Sequence, residues 1–265
     1  MLEVQNVHKW FGTRRILNGI NLQVREGETL VIMGGSGGGK STLLRILIGL
    51  LRPDQGQVFI LGKDIAQARD EEKDEVRKKF GMLFQGSALF NSLSVGENVA
   101  LPLREHTNLD YEIIRIIVKV KLELVGLTGF ENHRPYEISG GMKKRVALAR
   151  AIALDPTLVF YDEPGAGLDP ITASVIDQLI LDLTRKLKMT SVVVTHEMTS
   201  AFRIADRMIV LHKGEIVASG PPDEIKHSKH PYVQQFIHGE IDDNVLSQES
   251  RSKYLQSIFG TEDYD

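Results

Sequence analysis

Glu28–Ser41 reads ETLVIMGGSGGGKS, and Thr42–Leu51 continues it as TLLRILIGLL. The unbroken apolar run Glu28–Met33 predicts a buried strand, and Ser41–Leu51 predicts a helix. Between them, Gly34–Ser41 matches G-x-x-x-x-G-K-[ST] in the strand–loop–helix setting that the pattern requires. Glycines let backbone N–H groups turn inward around phosphate oxygens, and the helix N-terminus adds partial positive charge. In such a cradle Lys40 would bridge the outer phosphates and Ser41 would offer its hydroxyl to Mg²⁺. A glycine-rich turn with an incidental lysine is the plain alternative, and the strand–helix context speaks against it.

Outward from this stretch the same grammar recurs. Thr157–Asp162 (TLVFYD) and Ser191–His196 (SVVVTH) are two more apolar runs without alternation, as in parallel strands covered on both faces. Strands alternating with helical stretches predict an α/β fold with a mainly parallel sheet. Leu2–Val7 and Ile20–Val24 alternate instead, Gln57–Leu61 is a further short strand, and Met208–Leu211 with Glu215–Ala218 flank a Lys213-Gly214 turn as a hairpin. These predict an antiparallel layer beside the parallel sheet. Helical periodicity dominates between Val95 and Leu154, notably in Glu112–Val125 and Met142–Leu154, which predicts a helical insertion.

The composition narrows the function classes. The chain has 265 residues, 42% hydrophobic and 25% charged, enough to bury a core. Lys and Arg total 32 against 35 Asp and Glu, so no basic excess marks a nucleic-acid binder. The absence of cysteine excludes disulfides, thiolate metal sites and cysteine nucleophiles. The most apolar segment, Leu43–Leu51, is short of a membrane span and carries Arg45. The N-terminus lacks a basic-then-apolar signal pattern, so a soluble, intracellular protein is expected.

Two further segments carry chemistry. Leu158-Val159-Phe160-Tyr161-Asp162 ends an apolar strand in an acid, and Glu163 follows. A carboxylate at the C-terminal end of a parallel strand lies where such sheets bind ligands. Asp162 would hold Mg²⁺ and Glu163 would polarise an attacking water. Ser139-Gly140-Gly141 opens a strong helix, with Ser139 as N-cap and free N–H groups at the positive helix end, a second anion grip. The adjacent Lys143, Lys144 and Arg145 read as a solvated basic face.

Taken together, Gly34–Thr42, Gln85, Ser139-Gly140-Gly141, Asp162-Glu163, Leu168-Asp169 and His196 occur in the order found in ATP-binding cassette (ABC) ATPases, which the chain resembles over roughly residues 1–236. The resemblance implies a P-loop NTPase (RecA-like) α/β fold, with residues 1–86 and 157–236 as the core and 87–156 as a helical subdomain. It implies ATP and Mg²⁺ as ligands. The cradle would comprise Gly34, Gly35, Ser36, Gly37, Gly38, Gly39, Lys40, Ser41 and Thr42; Ser41, Gln85 and Asp162 would meet Mg²⁺. It further implies Glu163, His196, Lys40 and Gln85 as catalytic groups, with His196 on the γ-phosphate. Two copies would pair head to tail, so that Ser139, Gly140, Gly141 and Met142 serve the other copy's nucleotide and Asp169 crosses the interface. Phe11 fits the aromatic that stacks on adenine, with Trp10 as the fallback; without the resemblance Phe11 and His196 would read as core residues. The chain departs from the commonest pattern at Met142 (Gln in most members), Gly167 (often Ser) and Gly35 (frequently Pro). The Met142 change leaves any contact assigned to that Gln open.

Met82–Phe90 (MLFQGSALF), Asn98–Thr107 (NVALPLREHT) and Met142 resemble the ATPases paired with MlaE-type permeases and MCE proteins, which move lipids across the cell envelope. That branch implies a MlaE-type integral membrane permease and an MCE-type lipid-binding protein as partners, with a small accessory regulatory protein beside them and no nucleic acid. The chain would then sit on the cytoplasmic face of the inner membrane. The alternatives are an ABC ATPase for another cargo, a soluble one acting on nucleic acid or ribosomes, and a non-catalytic cassette, against which Glu163 speaks. Residues 237–265 form an acidic tail, with seven acids against two bases from residue 240 onward. Its Tyr254, Leu255, Ile258 and Phe259 form a stripe that suits a short helix docking on the other ATPase subunit or an accessory protein, and a solvated, disordered tail is the alternative that its charge suggests.

Overall fold

The computed structural model describes residues 1–239. The chain opens with an antiparallel pair, β1 (Leu2–Phe11) and β2 (Arg14–Val24), followed by β3 (Thr29–Met33) and α1 (Lys40–Leu47) around the glycine loop. Next come β4 (Gln55–Ile60), β5 (Lys63–Asp64), α2 (Asp70–Arg77) and β6 (Phe80–Leu83). Three helices follow, α3 (Val95–His106), α4 (Tyr111–Leu124) and α5 (Gly140–Ala151). The chain re-enters the sheet with β7 (Leu158–Asp162), then α6 (Pro170–Leu187), β8 (Thr190–Val194), α7 (Met198–Ile204), β9 (Arg207–His212) and β10 (Glu215–Gly220). Two short helices, α8 (Pro222–Lys226) and α9 (Pro231–His238), complete the described residues.

The strands form two sheets. One has six strands in the order β10-β9-β3-β8-β7-β6, parallel except for β10; the other has four antiparallel strands, β2-β1-β4-β5. The period-two geometry of a strand explains the unbroken apolar runs. Val31 and Met33 of β3 point into one core with Val159, Tyr161 and Val193, beneath α3–α6. Leu30 and Ile32 point into a second core with Phe160 and Val192, closed by α1 and the four-stranded sheet. The α/β fold with an antiparallel layer and inserted helices is therefore the one the sequence predicts.

Three local expectations change. The hairpin β9–β10 belongs to the main sheet, not to the antiparallel layer, because β9 pairs in parallel with β3. Helix α1 ends at Leu47 rather than Leu51, where the N–H groups of Leu50 and Leu51 both return to the Arg45 carbonyl. Helix α5 runs Gly140–Ala151, starting two residues earlier and stopping three earlier than its apolar spacing suggests, since Ser139 caps it. The proposed tail helix lies outside the described residues.

Phe160 is fully buried and meets Phe80 edge to face, with ring centroids 5.2 Å apart. Truncating such a ring costs the transfer energy plus the cavity it leaves, about 3–5 kcal/mol. Phe160→Ala should lower the free energy of unfolding by that amount, read in urea as a lower midpoint at an unchanged slope. A loss below about 1 kcal/mol would contradict the packing described.

Candidate functional site

At the end of β3 the chain turns at Gly34, whose φ is +147°. A Cβ there would stand 2.2 Å from the Leu211 carbonyl oxygen, so β9 admits only glycine at this point. Ser36, Gly37 and Ser41 are exposed at the mouth of the loop. Lys40 Nζ folds back and donates to the carbonyls of Gly34 at 2.7 Å and Gly35 at 3.1 Å. Burial lowers the Lys40 pKa, opposed by the nearby carboxylates of Glu163 and then Asp162. A cleft of about 260 Å³ opens over the loop, lined by Gly37, Gly38, Gly39, Lys40, Ser41 and Thr42 together with Arg14 and Ile16.

Arg14 and Ile16 belong to no motif, and only the pairing of β1 with β2 brings them here. The one signal for them is their position just after the turn that follows Phe11. Phe11 is 53% exposed, with Lys9 Nζ 5.8 Å from its ring centroid. Trp10 stacks on His8 at 5.6 Å. Of the two aromatics, Phe11 thus presents the more exposed face, and the reading of it as a core residue is wrong.

The carboxylates stand beside this loop. Asp162 ends β7, and burial followed by repulsion from Glu163 raises its pKa, while Arg45, Lys144 and Lys40 pull it down. Glu163 is almost buried and has φ +47°, a left-handed conformation that costs a non-glycine residue about 1–2 kcal/mol. Its N–H donates to the Val194 carbonyl at 2.8 Å. Its carboxylate accepts Thr195 Oγ1–H at 3.0 Å and the His196 N–H at 3.3 Å, and it meets His196 Nδ1 at 2.8 Å. The strand β8 stops at Val194, so His196 lies two residues beyond it with its ring half exposed, not in the core.

Ser139 caps α5, its Oγ accepting the Met142 N–H at 3.3 Å. Gly140 and Gly141 rest against Leu168 and Thr172 at the start of α6 and line no part of the cleft over the loop. Asp169 caps α6, accepting from Ile171 and Thr172 N–H and from Thr172 Oγ1, bonds that hold its pKa below the ordinary value. One chain therefore brings together the loop, Asp162, Glu163 and His196, and it leaves the Ser139 grip elsewhere.

Of the basic face predicted after Gly141, Lys144 is buried and Arg145 is bonded to backbone carbonyls. Lys144 is 4% exposed, and its ammonium donates to the carbonyls of Gln85 and, at 3.3 Å, Glu163. Burial lowers its pKa, and Asp162 and Glu163 oppose the shift. Arg145 donates to the carbonyls of Val125 and Gly126. Arg150 holds the carbonyls of Ser87 and Ala88, both left-handed, at 2.8 and 2.7 Å. A buried cation on a helix must find acceptors, and here Lys144 and Arg150 find carbonyls of the Gln85 loop while Arg145 finds those at the end of α4. The side chain of Gln85 itself is exposed.

Comparison with known proteins accords with this geometry. The family model described as ABC transporter matches residues 17–166. The intermembrane phospholipid transport system ATP-binding protein MlaF of Haemophilus influenzae is 44% identical over 98% of each chain. A probable ribonucleotide transport ATP-binding protein, mkl, of Mycobacterium leprae is also 44% identical, over 90% of this chain and 69% of its own. A dimeric structure of MJ0796, a bacterial ABC transporter cassette, superimposes with a TM-score of 0.78 at 36% identity, covering 84% of this chain and 99% of that one. The chain is an ATP-binding, ATP-hydrolysing cassette and belongs to the ABC transporter ATPase family.

Proposed function

We propose that this chain energises phospholipid transport between membranes of the cell envelope, as the ATPase subunit of a complex with an integral membrane permease. The observation that carries the catalytic part is the Glu163 carboxylate, held by Thr195 and His196 within Coulomb reach of Lys40. The lipid assignment rests on full-length similarity to MlaF, weighed against the ribonucleotide assignment of mkl, whose own chain is matched over a smaller share.

The residues divide the work by their partners. Lys40 exchanges the carbonyls of Gly34 and Gly35 for phosphate oxygens. Among the described residues no cluster of three or more His, Cys, Asp or Glu could cage a metal. A hard cation bound through few side chains and its substrate's phosphates suits the Ser41 hydroxyl, the Asp162 carboxylate and the Gln85 amide. Mg²⁺ held there would neutralise charge developing on the transferring phosphoryl group. Glu163 accepts the proton of the attacking water, and His196, bonded to it, faces the outer phosphate. Ser139-Gly140-Gly141 serves the nucleotide of a second copy, a reading supported by the absence of these residues from their own chain's cleft. Asp169, exposed at the head of α6, would meet that copy.

A groove of about 490 Å³ beside Gln85 supports permease docking. It is lined by Phe80, Phe84, Phe90, Leu101 and Pro102 with a charged rim of Arg77, Lys78 and Glu105, and Phe84 and Phe90 are exposed in it. No helix among the described residues is long and apolar enough to cross a membrane, so a membrane position would come through such a partner. An MCE-type protein and a small regulatory protein would complete the complex on the inner membrane.

Glu163→Gln should keep ATP affinity but slow phosphate release about 10²- to 10⁴-fold, the share of a general base. It should also accumulate as an ATP-dependent dimer on gel filtration. Turnover near that of the wild type would remove Glu163 from water activation. In vesicles carrying the permease, ATP should drive transfer of a fluorescent phospholipid; uptake of labelled ribonucleotide without lipid transfer would favour the other cargo. Lys144→Met strands the Gln85 and Glu163 carbonyls, costing about 1–3 kcal/mol in unfolding experiments and lowering turnover more than ATP affinity. Unchanged stability and turnover would return Lys144 to a solvated role.

A further inference from the structure

The phosphate loop is tethered by a residue far along the chain. The Gly35 N–H donates to Tyr232 Oη at 3.0 Å. Tyr232 is the second residue of α9, which fully buried Val233 anchors to the core. Its ring lies against His212, with centroids 3.5 Å apart, and stacks on Phe236 at 5.9 Å. The hydroxyl is thereby aimed at the loop by packing on both the helix and the end of β9.

The N–H of Gly35 and the carbonyl of Gly34 belong to one planar, trans peptide unit and point in opposite directions. Fixing the N–H on Tyr232 therefore aims the Gly34 carbonyl the other way, where it accepts Lys40 Nζ at 2.7 Å. Glycine occupies positions 34, 35, 37, 38 and 39, so ordering this loop costs more conformational entropy than ordering a loop with fewer glycines. A proline at position 35 would restrict φ but would have no N–H to give. A Cβ at Gly35 would stand 2.9 Å from the Tyr232 hydroxyl. Position 35 thus suits a bare, donating backbone.

We propose that Tyr232 is a positioning residue of the phosphate loop: its hydroxyl pre-orders the Gly34–Gly35 peptide, and with it Lys40, for nucleotide binding. It follows that α9 is coupled to the nucleotide site, because whatever orders the loop also steadies the helix that holds it. The inference rests on the loop binding ATP, and it concerns affinity rather than the chemical step.

The test uses the full-length chain. Tyr232→Phe keeps the ring contacts with His212 and Phe236 and removes only the acceptor. The dissociation constant of a fluorescent ATP analogue should rise about fivefold, as for loss of one neutral hydrogen bond, while kcat at saturating ATP holds within about twofold. Gly35→Ala, forced against the hydroxyl, should also weaken binding, and its penalty should shrink at least about threefold in the Tyr232→Phe background, the non-additivity of groups in contact. Nucleotide should protect the α9 amides from hydrogen exchange in the wild type and less so in Tyr232→Phe. Wild-type affinity in Tyr232→Phe, strictly additive effects, or a lowered melting temperature with unchanged affinity would each overturn the proposal. Failure of the wild-type chain to hydrolyse ATP would instead count against the ATPase role of this chain and leave the binding measurements intact.

Discussion

The register of three adjacent strands is the constraint on which the site depends. Val194 of β8 stands opposite Ile32 of β3 on one side and Asp162 of β7 on the other. In a parallel sheet all three strands run the same way, so their C-terminal ends coincide at one edge. That edge is where the glycine loop leaves β3, where Glu163 leaves β7 and where Thr195 and His196 leave β8. A shift of one residue in any strand would turn its apolar faces over and carry its functional residue to the wrong height. The two buried cores hold the register, because every residue of β3 and β8 is buried on one face or the other. Core packing and site geometry are in this sense a single requirement.

Some of the backbone strain lies beside the site, in the loops that follow β6 and β7. Glu163, Ser87 and Ala88 adopt left-handed backbone conformations without being glycine. Each is held by an interaction from another element: Glu163 by Val194, Thr195 and His196, and the Ser87–Ala88 segment by Arg150 of α5. Such conformations persist only when their surroundings over-determine them. Helix α5 supplies much of that surrounding, since it carries both Arg150 and Lys144. The same helix begins with Ser139-Gly140-Gly141. Its displacement would pull on the Gln85 carbonyl and the Glu163 carbonyl at once, through one ammonium group. Ser139-Gly140-Gly141 and Glu163 are therefore mechanically connected within one chain.

The sequence is most informative where a local pattern has a local cause. Unbroken apolar runs, the glycine loop and the acid at the end of a strand are legible because their physics is contained in a few neighbouring residues. The hairpin β9–β10 is legible as a hairpin, but its sheet is not, since its partner β3 lies far away in sequence. Helix α2 (DEEKDEVR) buries only Val76 and offers no apolar period to find. Arg14, Ile16 and Tyr232 escape notice for a related reason: each reaches the loop through tertiary placement, not through a motif. Lys144 shows the opposite error. Three consecutive cations suggest water, and only the fold reveals that two loops present carbonyls to Lys144 and that the end of α4 presents them to Arg145.

The two lysines at the site show how partners, rather than residue type, decide a role. Both are partly desolvated, both have lowered pKa values, and both feel Asp162 and Glu163. Lys40 rests on carbonyls of its own exposed loop, acceptors that anionic phosphate oxygens can replace with stronger, charge-assisted bonds. Lys144 is enclosed, and its acceptors are backbone carbonyls of two loops. Releasing it would strand buried carbonyls, so its charge is fixed in place while that of Lys40 is exchangeable. Half-buried Asp162 thus feels one exchangeable and one fixed lysine besides Arg45, and almost buried Glu163 lies within reach of both lysines. Were Lys40 to turn to phosphate, Arg45 and Lys144 would still oppose the rise that burial and Glu163 impose on the Asp162 pKa.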